Sequence, residues 1–244
     1  MSFKVLINGA TGRMGQIAVA TLSSDPDFQL VATPSRKDNL ASSIQASEAQ
    51  IVLDLTSAEV VYQNTCTIIE AGVYPVIGTT GLTQDQIASL QELCQEKKQG
   101  GLIAPNFSMG AALMMRFSAQ AARYFEMAEI IEAHHENKKD APSGTAMLTA
   151  ERIASVRENA SLPTATTEII KSARGATVQS IPVHSIRLPG YAAYQNVIFG
   201  SKGETLQISH QAIHHDCYRA GILLACKKVV ALQTLVYGLE SVLD

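Results

Sequence analysis

The side chains best suited to chemistry crowd into one run, Glu132-Ala133-His134-His135-Glu136-Asn137-Lys138-Lys139-Asp140-Ala141-Pro142-Ser143-Gly144-Thr145-Ala146. The apolar residues leading into it, Ala128 to His134, read as a strand, and a helix opens at Ser143-Gly144. Two adjacent histidines at a strand end send their rings to opposite faces. One can then enter a site while the other is structural or touches a substrate's rim. Lys138 places a cation in the loop that follows. Ser143, Gly144 and Thr145 at a helix start offer backbone N–H groups and hydroxyls to an anion. An imidazole acid, an ammonium and a helix-end anion site together suit a substrate that carries carboxylates and needs a proton. A histidine pair alone would be an ordinary structural feature; a strand, loop and helix carrying all three elements is not.

A second group stands near the start. Gly9-Ala10-Thr11-Gly12-Arg13-Met14-Gly15 follows the apolar run Phe3 to Asn8 and leads into Gln16 to Leu22. Strand, glycine turn and helix in that order can hold a dinucleotide pyrophosphate. Gly9 permits the tight turn, Gly12 lets the backbone approach the phosphates, and Gly15 lets helix and strand pack closely. The ribose selector belongs at the end of the second strand, here Thr33-Pro34-Ser35-Arg36-Lys37. The acid that would bind a 2′-hydroxyl is missing there, and Arg36 and Lys37 suit a 2′-phosphate, so NADPH is expected ahead of NADH. Gly78-Thr79-Thr80-Gly81 and Ala104-Pro105-Asn106-Phe107-Ser108 end the fourth and fifth strands, at the edge where parallel sheets bind ligands.

These groups need a scaffold, and 244 residues with 46% hydrophobic content can bury one large core or two smaller ones. Strand candidates Phe3–Asn8, Phe28–Thr33, Ile51–Leu55, Pro75–Gly78 and Gly101–Ala104 alternate with helix candidates 13–23, 58–71 and 84–98. That alternation predicts a doubly wound parallel sheet of the Rossmann-like kind. The segment Ser35 to Gln50 is too polar and short to assign. Beyond Phe107 the pattern changes to a helix over Met109–Tyr124, the strand at 128–134, the helix from Ser143, a loop at 160–167, and strand-like runs 178–188, 194–199 and 205–212. The Gly200-Ser201-Lys202-Gly203 turn argues for antiparallel pairing. Arg219 to Leu235 reads as one long helix. The expected fold is α/β, a Rossmann-like domain (1–107 plus 214–244) and a second α+β domain (108–213) on a mixed or antiparallel sheet.

Composition excludes several partners. A net charge of −3 with no long basic stretch argues against nucleic acid. Apolar runs such as Ala220 to Cys226 fall far short of the roughly 20 residues that span a bilayer. The N-terminal run is a short strand rather than a signal segment, which makes the cytoplasm the default. Cys66, Cys94, Cys217 and Cys226 are scattered and read as reduced thiols. His210, His214, His215, Asp216 and Cys217 are neighbours in sequence, but no closing ligand pair stands at zinc-like spacing, so no metal is expected.

The run HHENKKDAPSGTA, with GATGRMG, GTTG and APNFS in the same order, resembles the 4-hydroxy-tetrahydrodipicolinate reductase (dihydrodipicolinate reductase) family of the diaminopimelate and lysine pathway. The likeness spans nearly the whole chain. It implies NAD(P)H-dependent reduction of a small cyclic dicarboxylate by a homotetramer. The first domain and last helix would bind the nucleotide, and the middle domain the substrate. His134 matches the family's proton donor and Lys138 its second acid. His135 matches a substrate histidine, and Gly144 and Thr145 the carboxylate site. Gly9, Ala10, Thr11, Gly12, Arg13 and Met14 match cofactor contacts, as do Gly78, Thr79 and Thr80, and Ala104, Pro105, Asn106 and Phe107. Ser35 departs from an acid that many members carry. Gly190 to Gln195 lacks the acid and histidine of a G-D-x-x-G-E-H pattern.

Two rivals can be weighed on residues. An extended short-chain dehydrogenase also carries a glycine turn, but it needs Tyr-x-x-x-Lys, and no tyrosine here has lysine four positions on. A non-catalytic NADP sensor would have no use for His134, Lys138 and a helix-end carboxylate site.

Overall fold

Val5, Leu6 and Ile7 are all fully buried, a pattern a strand adopts when both faces of its sheet are covered. In the computed structural model, which describes residues 2–157 and 167–243, this strand is β1 (Phe3–Asn8). It lies in a six-stranded parallel sheet with β2 (Phe28–Ala32), β3 (Ile51–Asp54), β4 (Tyr74–Ile77), β5 (Gly101–Ile103) and β11 (Leu235–Tyr237). The spatial order is β11-β5-β4-β3-β1-β2, so the winding reverses between β1 and β3. That reversal is the topological switch point of a doubly wound sheet, where ligands of such folds bind.

Between the strands run α1 (Arg13–Ser24), α2 (Leu40–Ser47), α3 (Val61–Glu70) and α4 (Gln84–Lys97). Ile44 of α2, Ile68 and Ile69 of α3, and Ile87 and Leu90 of α4 pack on Leu6, Val52, Ile77 and Ile103 of the sheet. Each of those helices therefore buries one apolar stripe, as a helix laid on a sheet must. Thr83 and Gln86 close a reciprocal capping box at the start of α4. The chain divides into two compact units, Met1–Met109 with Asp216–Asp244, and Gly110–His215.

The second unit is built on a mixed sheet ordered β10-β9-β6-β8-β7. Its strands are β6 (Met127–His134), β7 (Ala176–Val178), β8 (Ile181–Arg187), β9 (Ala193–Ser201) and β10 (Glu204–Ala212). β6 runs parallel to β8 and antiparallel to β9. The turn after β9 pairs it antiparallel with β10, as the Gly200–Gly203 signal predicts. Two helices belong to this stretch of chain, α5 (Met109–Ala121) and α6 (Gly144–Ser155). Ala146, Ala150 and Ile153 of α6 cover Ala128 and Ile130 of β6.

Two expectations need correcting, and one unassigned segment proves to hold a helix. The run 178–188 is a hairpin rather than one strand, because Gln179 and Ser180 take φ of 48° and 69°, the left-handed geometry of a tight two-residue turn. The helix α7 (Arg219–Val229) stops six residues before Leu235. Leu235–Tyr237 instead joins the parallel sheet beside β5, where Leu235 is buried in the core. The polar segment 35–50 contains α2, started by Asn39, whose side chain accepts the Ser42 N–H. The loop expected at 160–167 lies outside the described residues apart from Thr167. No helix among the described residues is long and apolar enough to cross a membrane.

Candidate active site

Strand alternation builds the site of the second unit. Ala128 and Ile130 point into the core under α6, and the same face continues with Glu132 and His134. Glu132 is therefore a carboxylate at the end of an apolar core, with no exposure at all. Such a charge needs partners. Arg187 supplies a two-pronged contact, Nη1 at 2.9 Å from Oε2 and Nη2 at 2.9 Å from Oε1. The Ser143 N–H donates to Oε1 at 3.2 Å, and Nδ1 of His134 lies 2.6 Å from Oε2. Burial alone would raise the Glu132 carboxyl. The bonds from His134, Arg187 and Ser185, with the Arg187 charge, outweigh it and bring the value down to about 2. An ionised Glu132 can only accept, so Nδ1 of His134 carries hydrogen toward it, and Nε2 is the nitrogen left for a substrate.

The register of β6 on β8 sets His134 opposite Arg187, which explains how Arg187 meets Glu132, 55 residues earlier in sequence. Arg187 also donates to the Asp140 carbonyl at 2.6 Å, pinning the loop between β6 and α6. Within that loop, Lys138 Nζ sits 2.8 Å from each Asp140 oxygen. The Lys138 bond leads the effects that hold Asp140 below the usual carboxylate range. Ser143 is buried and caps α6, accepting the Ala146 N–H at 3.2 Å. Gly144 is exposed, and a Cβ there would meet nothing within 4 Å, so a carboxylate has an open approach to the helix start. Thr145 is half-buried and His135, just past the strand end, is exposed. One network thus links His134, Lys138 and Ser143, while His135 stands at its rim. Sequence reasoning misses Glu132 and Arg187. The signal available for Glu132 is an acid placed on the core parity of a buried strand.

In the first unit, Gly9 has φ of 92°, and a Cβ on it would lie 2.4 Å from the Leu55 carbonyl. The turn leans over the end of β3, which only glycine allows. A Cβ on Gly15 would lie 2.2 Å from the Gly9 carbonyl, so helix and turn are in direct backbone contact. Gly12 differs: a Cβ there meets only the Gly9 carbonyl, at 3.5 Å. Gly12 starts α1 without a side-chain cap, and the first turn holds no acid. Open space before uncapped, uncountered N–H groups fits a pyrophosphate. Ala10 and Met14 are half-buried, while Thr11 and Arg13 are exposed.

Gly78 packs against the Phe107 ring and Leu55, where a Cβ would come within 2.5 Å of the ring. Phe107 and Ala104 are buried, so their side chains support the edge and only their backbones could meet a ligand. Thr79 is buried, Thr80 exposed, and Pro105 and Asn106 half-buried. Arg36 is exposed on the loop after β2. In that loop Asp38 accepts both the N–H and the hydroxyl of Ser35 at 2.8 Å.

A parallel sheet with a glycine turn at its switch point, in a chain that also gathers a histidine and an arginine on a buried glutamate, is the build of a nucleotide-dependent oxidoreductase. The shape is widespread: an amine dehydrogenase from Mycobacterium smegmatis superposes with a TM-score of 0.66 at 12% identity, covering 97% of this chain and 95% of that one, a likeness of fold alone. Two family models are far more specific, "Dihydrodipicolinate reductase, N-terminus" over residues 3–107 and "Dihydrodipicolinate reductase, C-terminus" over 110–243. The 4-hydroxy-tetrahydrodipicolinate reductase of Legionella pneumophila (strain Corby) is 51% identical, and that of Coxiella burnetii (strain Dugway 5J108-111) 48%, each covering 100% of both chains. The dipicolinate-bound dihydrodipicolinate reductase from Paenisporosarcina sp. TG-14 superposes with a TM-score of 0.89 at 38% identity, again covering 100% of both chains. The chain belongs to the dihydrodipicolinate reductase family. Its first half is the family's nucleotide-binding Rossmann-like domain, and its cofactor class is a pyridine nucleotide.

Proposed function

We propose that this chain reduces 4-hydroxy-tetrahydrodipicolinate, or its dehydrated ring, to tetrahydrodipicolinate in the route to diaminopimelate and lysine. Family membership over the full length supports the reaction. The observation that carries the mechanism is the Glu132–His134 contact of 2.6 Å. A bound pyridine nucleotide supplies the hydride. His134 contributes the proton: Glu132 fixes Nδ1, and Nε2 delivers to the atom made basic by reduction. General acid help of this kind is worth about a hundred- to ten-thousand-fold.

The open helix start at Gly144 and Thr145 receives a substrate carboxylate, and Ser143 holds that helix end in place. Lys138 leaves Asp140 to meet the dicarboxylate, and His135 contacts the substrate's rim. Gly9 to Met14 hold the pyrophosphate, and Gly78 to Thr80 with Ala104 to Phe107 border the rest of the nucleotide. NADPH is the preferred donor in this reading, because Arg36 is exposed beside the ribose position while Asp38 is engaged by Ser35. The assembly we propose is a homotetramer, for which the long open edge of β10 offers pairing surface.

Pyridine-2,6-dicarboxylate, a planar mimic of the substrate, tests the reading. It should inhibit competitively against the dicarboxylate, and a crystal of the complex should place one carboxylate at the backbone of Gly144 and Thr145. A mimic that neither inhibits nor binds near that helix start would overturn the assignment.

A further inference from the structure

Asp54 ends β3 at the switch point, side by side with Asn8, the last residue of β1 before the glycine turn. It has no exposure, yet no cation is bonded to it among the described residues. Its carboxylate is instead saturated by neutral donors. Oδ2 accepts from the Asn8 amide at 2.9 Å and the Asn64 amide at 2.9 Å. Oδ1 accepts from the Thr56 N–H at 3.2 Å, the Thr56 hydroxyl at 2.7 Å and the Thr79 hydroxyl at 2.8 Å. The Asn64 amide also reaches the Thr56 hydroxyl at 3.2 Å, closing the ring of contacts.

Those donors come from the ends of three adjacent strands and from α3. Asn8 leads directly into Gly9, Thr56 follows the Leu55 carbonyl on which Gly9 rests, and Thr79 lies inside Gly78–Gly81. A buried carboxylate that removes five donors from water has to offset its own desolvation through those bonds. Apolar packing would hold the strands equally well. What only an acceptor at this point can do is fix the loops to one another at hydrogen-bond precision.

We propose that Asp54 is the positioning residue of the nucleotide site, locking the glycine turn after β1 and the Gly78–Gly81 loop after β4 into the spacing that a pyridine nucleotide requires. The inference rests on the nucleotide reading above and extends it to a residue that would touch neither nucleotide nor substrate. Asp54→Asn keeps the shape but places an NH2 against groups that are themselves donors. Asn64→Leu removes one donor from α3 and leaves both loops unchanged in sequence.

The test is the dissociation constant of NADPH, read by titration of the full-length protein, with Michaelis constants for nucleotide and dicarboxylate and a thermal melt for each variant. Asp54→Asn should weaken NADPH about tenfold or more, the loss of one charge-assisted bond's worth of order. Asn64→Leu should weaken it by a smaller factor, and the Michaelis constant for the dicarboxylate should stay within about twofold in both. A folded Asp54→Asn that binds NADPH like the wild type overturns the inference. So does a lowered melting temperature with unchanged nucleotide affinity, which is the mark of a purely structural role. If Asp54→Asn does not fold, unchanged NADPH affinity in Asn64→Leu overturns it equally. Failure of the wild type itself to bind NADPH or NADH would instead remove the nucleotide reading, a separate and distinguishable result.

Discussion

Nδ1 of His134 lies 2.6 Å from Oε2 of Glu132, two residues earlier on the same face of β6. Arg187 spans both oxygens of that carboxylate with two bonds of 2.9 Å. The proposed proton donor is thus held by a buried carboxylate that is itself anchored on a neighbouring strand. Replacing Glu132 with glutamine should lower turnover by roughly tenfold to a hundredfold, part of the factor that a positioned general acid supplies. NADPH affinity should not change. Steady-state rates alongside nucleotide titration check this, and an unaltered rate would mean that the contact is only structural.

The same carboxylate should shape acid stability. Its folded value of about 2 lies below the ordinary 4.5, so its contribution is complete above about pH 4.5 and is lost as pH falls toward 2. A displacement of that size is worth roughly 3 kcal/mol. Glu132→Gln lacks this contribution at every pH and leaves Arg187 with only its carbonyl contacts to Ile186 and Asp140 in place of a charged partner. Urea unfolding near pH 7 and near pH 3 should show the gap between wild type and variant narrowing in acid. A constant gap would contradict the assignment of the acid limb to Glu132.

Lys138 and Asp140 form a two-pronged pair, which the proposed role of Lys138 requires to open. Lys138→Ala should raise the Michaelis constant for the dicarboxylate about tenfold and also slow turnover, since a charge-assisted bond is lost. Asp140→Asn releases the ammonium and should move that constant the other way. Equal effects of the two substitutions would show that the pair acts as a structural unit.

Much of the architecture was legible because the signals were local. Gly9, Gly12 and Gly15 between an apolar run and an amphipathic helix can be read without knowing any partner, and each glycine proves to have a distinct steric setting. Ser143 likewise announces a helix start, and it caps α6. What was hidden depends on pairing at a distance. Leu235–Tyr237 is too short to carry a period, and only its alignment with Gly101–Ile103 makes it a strand. Leu40 and Ile44 of α2 are a single apolar pair in a polar stretch, stabilised by the sheet beneath rather than by their own pattern. Glu132 opens the run that sequence singles out, but its meaning depends on Arg187, which reaches it through the β6–β8 register. Asp54 looks like a polar strand end until Asn8, Asn64 and Thr79 are seen around it.

Cofactor choice should rest on Arg36. Arg36→Ala should raise the Michaelis constant for NADPH about tenfold, the worth of one guanidinium–phosphate contact, and leave that for NADH nearly unchanged. Parallel titrations with both nucleotides decide the point. Loss of both in equal measure would place Arg36 outside the 2′-phosphate site.

The central claim is that His134 gives up the proton that completes hydride reduction of a cyclic dicarboxylate. The most direct measurement follows the near-ultraviolet absorbance of NADPH as it meets enzymatically generated 4-hydroxy-tetrahydrodipicolinate, with wild type and His134→Gln side by side. Rapid oxidation by the wild type, none with pyruvate, and a rate lower by about a hundred- to ten-thousand-fold in the variant with NADPH affinity intact are the predicted results. A variant as fast as the wild type, or a wild type that leaves the nucleotide unoxidised, would contradict it.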